Sequence, residues 1–373
     1  MQKIKKYIKN IIISILPKRY ILFESVPDFS DNSKAVFDEM LKRGLNKKYV
    51  LVWLLYKNDC EHYPKIKNVK YLVNGDKKRK LYFLMAKCFI CCNGFLYSDN
   101  SNQKSIFLTH GMYVKKPTNY YTLPKEIQYC LSSSNELKEM QSKALDVDLS
   151  KMVSLGFPRN DVLTQSNKNL QDYFGCEFKK FIVWYPTFRQ HSTGMKTGCD
   201  KPIPIIWDEN SAKVLNDCAK ENNVLIILKP HFVQDTSMIN CLNLSNIKLI
   251  NDSFFIDNDI TSYELLAACD SMITDYSSVY FDYTLCDKPI GLVWEDYSDY
   301  EKNPGFALDM DYYMQGGFKI YNVEDFKQFV TDVAADNDLL SEARRRIRDI
   351  SNYSTDGKSS QRVVDFIIDK MNL

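Results

Sequence analysis

Residues 271–290, SMITDYSSVYFDYTLCDKPI, open as a short apolar strand and break at an Asp-Tyr-Ser-Ser turn. An amphipathic segment carrying Asp282 and Asp287 follows, and a second apolar run, KPIGLVW, starts at Lys288. Strand, turn, helix and strand in that order make a crossover unit of a parallel sheet. The turn also places two adjacent hydroxyls, Ser277 and Ser278, where a helix should begin, although N-capping needs only one. A helix N-terminus with spare donors also suits a phosphate. The stretch therefore carries both a capping and an anion-binding reading.

Working outward, the same alternation recurs along the chain. RYILFES, KYVLVWLLY, VKYLV, CFICCNG, SIFLTHG, QYCLSSS and KMVSLGF read as strands of a first half. Helical segments such as NSKAVFDEMLKRG lie between them, that one with Asn32 or Ser33 as its cap and Gly44 as its stop. The pattern restarts with FIVWYPT, NVLIILKPH, IKLIN and SMITD, and KPIGLVW is expected to be the last strand before three closing helices. The polar stretch TQSNKNLQDYFGCEF separates the halves as a hinge or linker. At 373 residues two domains are the better expectation. The chain reads as α/β, two Rossmann-like domains facing a cleft, with ligands expected at the C-terminal ends of strands.

Composition narrows the partners. The net charge is +2, from 49 basic and 47 acidic residues, so no global signature for nucleic acid is present and any anion site is local. Eleven cysteines are scattered through apolar runs, which suits buried thiols in a reducing compartment. Cys88 and Cys91 form a C-x-x-C, but no second cysteine pair follows at zinc-ribbon distance, so neither a metal nor another cofactor is expected. The N-terminus, MQKIKKYIKNIIISILPKRY, has six basic residues and no acid, with apolar residues at helical spacing up to Pro17. It is too short to span a bilayer. An interfacial helix with lysines reaching toward anionic headgroups is favoured over a helix packed on the protein's own core.

The polar residues concentrate at strand ends. His110, Gly111, Lys115 and Lys116 follow SIFLT; Arg159, Asn160 and Asp161 follow MVSLGFP; Thr187 and Arg189 follow IVWYP; Lys229 and His231 follow LIIL; Asp275, Ser277 and Ser278 follow SMIT. Only four histidines exist in the chain, and two of them fall at strand ends in opposite halves. Any one of these could be a structural residue or a turn. Together they line a cleft with compact, mostly cationic donors, which suits a phosphate ester better than a neutral sugar. No G-x-x-x-x-G-K-[ST], G-x-G-x-x-G or G-x-S-x-G motif occurs.

Seven stretches in order resemble the CDP-glycerol glycerophosphotransferase family, the teichoic acid and capsule polyol-phosphate transferases. They are FESVPDFSDNSKAVFDEML, LTHGMYVKK, LGFPRNDVL, WYPTFR, LKPHF, the long run from Tyr263 to Ile290, and STDGKSSQRVVDFI. The resemblance implies a GT-B-like fold without an essential metal, peripheral on the cytoplasmic face of the bacterial plasma membrane. It divides the chain into a basic membrane-surface helix (1–20), an acceptor domain (21–165), a CDP-donor domain (175–355) and a C-terminal helix (356–373) whose crossing back is left open. Two departures stand out. Met112 and Tyr113 follow His-Gly where the family has a small or hydroxylated residue and Pro, and Tyr185 replaces an alanine before Pro186-Thr187.

The activity so implied moves glycerol phosphate from CDP-glycerol to a hydroxyl of a lipid-linked glycan or polyol-phosphate acceptor, releasing CMP. By resemblance His110 is the base, and His231 and Arg189 complete the catalytic set. Thr187, Arg189, Lys229, His231, Glu264, Asp275, Ser277 and Ser278 bind CDP, with Glu264 toward the ribose. Gly111, Lys115, Arg159 and Asp161 lie on the acceptor side, Arg159 and Asp161 with structural use equally open. The alternatives are a CDP-ribitol donor, a nucleotide-sugar glycosyltransferase, or a glycan-binding relic without turnover. Absence of the large N-terminal extension of many of the family's polymerases favours a primase-like or single-addition enzyme, with polymerisation and a homo-oligomer left open.

Overall fold

Seven short apolar runs of the first half hydrogen-bond into one parallel sheet, and six of the second half form another. The computed structural model describes residues 2–57, 60–116, 122–165, 168–175, 178–187, 203–231, 234 and 236–373. The first sheet contains β1 (Tyr20–Glu24), β2 (Val50–Leu54), β3 (Val69–Leu72), β4 (Ala86–Cys91), β5 (Lys104–Phe107), β6 (Tyr129–Ser132) and β7 (Met152–Ser154), in the order β3-β2-β1-β4-β5-β6-β7. The second contains β8 (Lys180–Trp184), β9 (Val224–Leu228), β10 (Ile247–Leu249), β11 (Ser271–Thr274), β12 (Ile290–Val293) and β13 (Phe318–Ile320), in the order β10-β9-β8-β11-β12-β13. Every strand pairing within the two sheets is parallel. Each sheet thus reverses its strand order once, between β1 and β4 and between β8 and β11, the position where Rossmann-like folds bind ligands.

The central runs are contiguous rather than alternating because those strands are covered on both faces. Ile21, Leu22 and Phe23 of β1 and Leu51, Val52 and Trp53 of β2 are fully buried. In the second sheet Ile182, Trp184, Ile226 and Leu228 belong to one apolar cluster with Leu215, Phe326 and Val330. KPIGLVW is not the last strand: β13 follows, behind Gly316 and Gly317. Three residues at a sheet edge are too few to set up a recognisable pattern.

The chain divides into two compact units, Met1–Met112 with Thr118–Asp161 and Asp356–Leu373, and Tyr113–Pro117 with Val162–Thr355. The last helix, Ser359–Met371, therefore belongs to the first unit. Its first N–H groups have no local side-chain cap; Asp161 receives them instead, from Ser359 at 2.7 Å and Ser360 at 2.8 Å. Arg43 bonds Asp365 and, at 3.1 Å, the Gln361 carbonyl. Gly156 (φ +78°) leaves room that a Cβ would not, since one built there would stand 2.5 Å from Ser359 Oγ.

The N-terminal helix runs over Gln2–Ile15. Ile13 is buried, and Asn100 donates to the Asn10 carbonyl (3.0 Å) and Ser14 Oγ (3.1 Å). Tyr7, Ile11, Ile12 and Ile15 stay exposed. The helix is thus attached to the first unit through Asn10, Ile13 and Ser14 and, among its described side chains, leaves those four large apolar ones uncovered. No helix among the described residues is long and apolar enough to cross a membrane.

Candidate active site

In the first unit the site forms around the exit of β5. His110 is half-buried three residues past the last residue of β5, between Thr109 (φ +55°) and Gly111 (φ +139°). A non-glycine residue in the left-handed region is uncommon and marks a constrained turn. The constraint comes from the helix Asp31–Lys42. Asn32 and Ser33, the expected caps, are buried in its first turn; Ser30 holds the N-cap position without a side-chain capping bond. Asn32 Nδ2 donates to the carbonyls of Leu108 (3.3 Å) and Thr109 (3.0 Å). Arg159 Nη1 donates to the His110 carbonyl at 2.7 Å and to Asp31 Oδ1 at 2.8 Å.

Two neighbours complete this region. Glu24, at the end of β1 and 2% exposed, accepts N–H bonds from Cys92 (3.3 Å), Asn93 (3.2 Å) and Gly94 (2.8 Å) and the Tyr56 hydroxyl (3.1 Å). Burial raises its pKa and these four bonds oppose the rise. His110 is pushed below its ordinary 6.5, first by burial, which outweighs the nearby Asp31 carboxylate; Arg159 adds to the depression, and a hydrogen bond to the Cys92 backbone opposes it. The imidazole is therefore neutral at physiological pH, the form that accepts a proton. The C-x-x-C lies within β4. Burial raises the Cys88 thiol to about 12 and carries Cys91 higher still, so neither is poised as a thiolate.

In the second unit the exits of β8 and β11 are joined. Asp275, 1% exposed, accepts from both the N–H and the hydroxyl of Thr187 at 2.9 Å each, and from the Tyr276 N–H at 2.7 Å. Thr274 Oγ1 donates to the Tyr185 carbonyl at 2.8 Å, and the Tyr185 hydroxyl reaches the Ser262 carbonyl at 3.4 Å. Ser277 and Ser278 are half-buried ahead of a five-residue helix, Val279–Tyr283, and Ser278 at its N-cap makes no side-chain capping bond. Lys229 pairs with Asp252 at 3.1 Å, and His231 is exposed just beyond it.

Other expected residues have different surroundings. Glu264, expected at the ribose, closes a capping box with Thr261, accepting its N–H at 2.7 Å and its hydroxyl at 2.9 Å. Asp161 holds the last helix as described. Lys115, expected on the acceptor side, belongs to the second unit: it bridges Phe306 in antiparallel fashion, and its ammonium lies 5.4 Å from the Tyr300 ring centroid. Arg189 lies outside the described residues. Sequence reading missed Glu24, Asp31 and the positioning use of Asn32. The only available signal was their place at the start of the matched stretch FESVPDFSDNSKAVFDEML.

The model of the CDP-Glycerol:Poly(glycerophosphate) glycerophosphotransferase family matches residues 7–369. The chain belongs to that family. Among the family's curated members it is similar to the teichoic acid poly(glycerol phosphate) polymerase of Bacillus spizizenii, 27% identical over 80% of this chain and 80% of that one. It is also 27% identical to the teichoic acid ribitol-phosphate primase of the same organism, over 61% of this chain and 55% of the primase. Among solved structures, the wall teichoic acid polymerase TagF superposes with a TM-score of 0.73 at 22% identity, covering 100% of this chain and 96% of that one. That likeness establishes the GT-B-like pair of Rossmann-like domains for this glycerophosphotransferase-family chain.

In an NMR pH titration assigned against a His110→Gln variant, the His110 ring should titrate below 6.5, since burial disfavours its charged form. A midpoint at or above that value would contradict the neutral-imidazole argument.

Proposed function

We propose that the chain is a transferase that moves glycerol phosphate from CDP-glycerol to a hydroxyl of a lipid-linked teichoic acid or capsule acceptor. The acceptor oxygen attacks the phosphorus that bears glycerol. A new P–O bond forms as the bond to the CMP phosphate breaks, and His110 takes the hydroxyl proton. The observation that carries this reading is the His110 turn: a half-buried imidazole, depressed in pKa, at a strand end inside a family match over residues 7–369. A base of that kind is matched to proton removal near neutrality.

On the second unit, His231 and Lys229 beyond β9, the Thr187–Asp275 junction and the Ser277-Ser278 turn would receive the CDP pyrophosphate. Asp275 acts there by holding Thr187 and its own turn, because a carboxylate facing phosphate repels it. Arg189 would counter the charge that develops on the leaving phosphate. Lys229 must exchange its Asp252 partner to take part. A CDP-ribitol donor is the second reading, supported by the same 27% identity, over a shorter stretch, to a ribitol-phosphate primase.

The helix Gln2–Ile15 would lie at the cytoplasmic face of the plasma membrane, with Tyr7, Ile11, Ile12 and Ile15 entering the interface. Docking there raises the effective concentration of a lipid-linked acceptor.

Release of CMP from CDP-glycerol, with a synthetic lipid-linked disaccharide bearing one glycerol phosphate as acceptor, tests the activity; CDP-ribitol and UDP-sugars run alongside. His110→Ala should lower turnover by about two orders or more while CDP-glycerol still binds, and a near-normal rate would remove His110 as the base. Replacing Ser277 and Ser278 together by Ala should weaken CDP-glycerol affinity; unchanged affinity would return that turn to a structural role. Deleting residues 1–17 should abolish sedimentation with anionic vesicles and leave the remainder folded by circular dichroism. Retained sedimentation would move the membrane contact elsewhere.

A further inference from the structure

Three consecutive backbone carbonyls leave β5, those of Leu108, Thr109 and His110, and each is taken by a side chain from elsewhere in the first unit. Asn32 takes the first two and Arg159 the third. The two holders are themselves joined, since the Arg159 N–H donates to Asn32 Oδ1 at 3.1 Å. Asp31 Oδ1 accepts both Arg159 Nη1 at 2.8 Å and the Asn32 N–H at 2.7 Å. Asn32 is fully buried, and the Arg159 and Asp31 side chains are 9% and 12% exposed. A ring of fixed bonds therefore surrounds the peptide units that carry the histidine.

We propose that Asn32, Arg159 and Asp31 form a clamp that positions the His110 imidazole for proton abstraction, acting through the turn's carbonyls rather than through the ring. The inference rests on the reading of His110 as base. Its physical reason is the backbone itself. Thr109 is held at φ +55° and Gly111 at φ +139°, conformations that an unrestrained L-residue at the first position would leave. With the carbonyls fixed, the direction in which His110 leaves the turn is fixed too. A base misplaced by about 1 Å loses on the order of 100-fold in rate.

The residue types fit the task. An amide presents two donors to two adjacent carbonyls and keeps an oxygen for the Arg159 N–H, which no carboxylate or hydroxyl does. A guanidinium spans a carbonyl and a carboxylate in one plane, which an ammonium does poorly. The charged groups facing the imidazole are Asp31 from the helix start and Arg159 from the turn after β7, with the Cys92 backbone from the end of β4. The clamp therefore touches position and protonation together, in opposite senses for its two charges.

The test uses the full chain and the isosteric variant Asn32→Asp, in which a carboxylate confronts two carbonyl oxygens, beside Arg159→Lys. His110→Ala is the reference, and CDP-glycerol with the lipid-linked disaccharide above is the substrate. Asn32→Asp should lose about 100-fold in kcat with KM for CDP-glycerol within about 3-fold, and Arg159→Lys about 10-fold in kcat. Two measurements need no acceptor. The His110 NMR titration midpoint should move in both variants, and amide exchange at residues 108–111 should quicken while the rest of the first unit keeps its protection. Wild-type kcat in both variants with an unmoved His110 titration would overturn the clamp, as would uniform loss of protection in both, which marks general unfolding. If His110→Ala turns over normally, the base reading fails by itself. The exchange and titration results then still decide whether the clamp holds the turn.

Discussion

A buried carboxylate sits where the strand order of each sheet reverses, and the arrangement of both sites depends on it. At a reversal the two central strands send their continuations apart, so the N–H groups just past the strand ends lose their ladder partners. In the first sheet Glu24 fills the gap between β1 and β4 by accepting three successive N–H groups. In the second, Asp275 bridges β11 and β8 by accepting from Thr187. Burying a carboxylate disfavours its charged form, and only several convergent donors make the arrangement tolerable. Removing either would leave buried donors unsatisfied, each at a cost of about 1–3 kcal/mol. Gly94 shows how tightly the first junction is built, since a Cβ there would stand 2.5 Å from the Tyr56 hydroxyl.

This constraint explains why the first turn of the helix Asp31–Lys42 looks miscapped. Asp31, Asn32 and Ser33 are residues that ordinarily cap helices through local bonds. Here Asp31 still takes one local N–H, that of Asn32, but all three also bond outside the helix. Asp31 holds Arg159, Asn32 holds the β5 exit, and Ser33 donates to the Glu24 carbonyl at 2.8 Å. The helix thus forgoes the N-cap side-chain bond, worth about 1 kcal/mol. In exchange its side chains lock β1, β4 and β5 exits into one array, and a site needing sub-ångström placement gains from that exchange.

Much of the fold was legible because strands buried on both faces leave contiguous apolar runs, as β1, β2, β9, β11 and β12 do, and the half-exposed β3, β7 and β10 were found as short segments between helices. β13 escaped because three residues behind two glycines carry no period. The site was legible only in part, and the reason is the difference between local and tertiary hydrogen bonding. His110 could be picked out as a candidate by its residue type at a strand end. Asn32 and Ser33 could not, since sequence marks them as caps while Asn32 bonds carbonyls 76 and 77 positions on and the Ser33 hydroxyl bonds the carbonyl of a strand residue, Glu24, nine positions back. The Ser277-Ser278 pair looked like a surplus of capping groups, yet Ser278 at the N-cap position makes no side-chain capping bond. Glu264 went the other way: Thr-x-x-Glu at 261–264 is a capping box that sequence could have shown, closed here by the Glu264 carboxylate, which also lies 3.8 Å from Lys168.

The segment after β7 shows how one short turn serves both ends of the first unit. Pro158–Thr164 is a tight 3-10 turn, in which residues two apart project about 240° from one another. Arg159 and Asp161 are two apart. The first reaches the His110 carbonyl and the second the opening N–H groups of Ser359–Met371. Both side chains are charged, and each meets a partner that complements it: a carbonyl and carboxylate for the guanidinium, a helix N-terminus for the carboxylate. The His110 turn and the last helix of the chain are therefore fastened to the same rigid peptide. A helix that crosses back from the far end of the sequence does more than cover the sheet: it braces the turn on which the clamp is mounted.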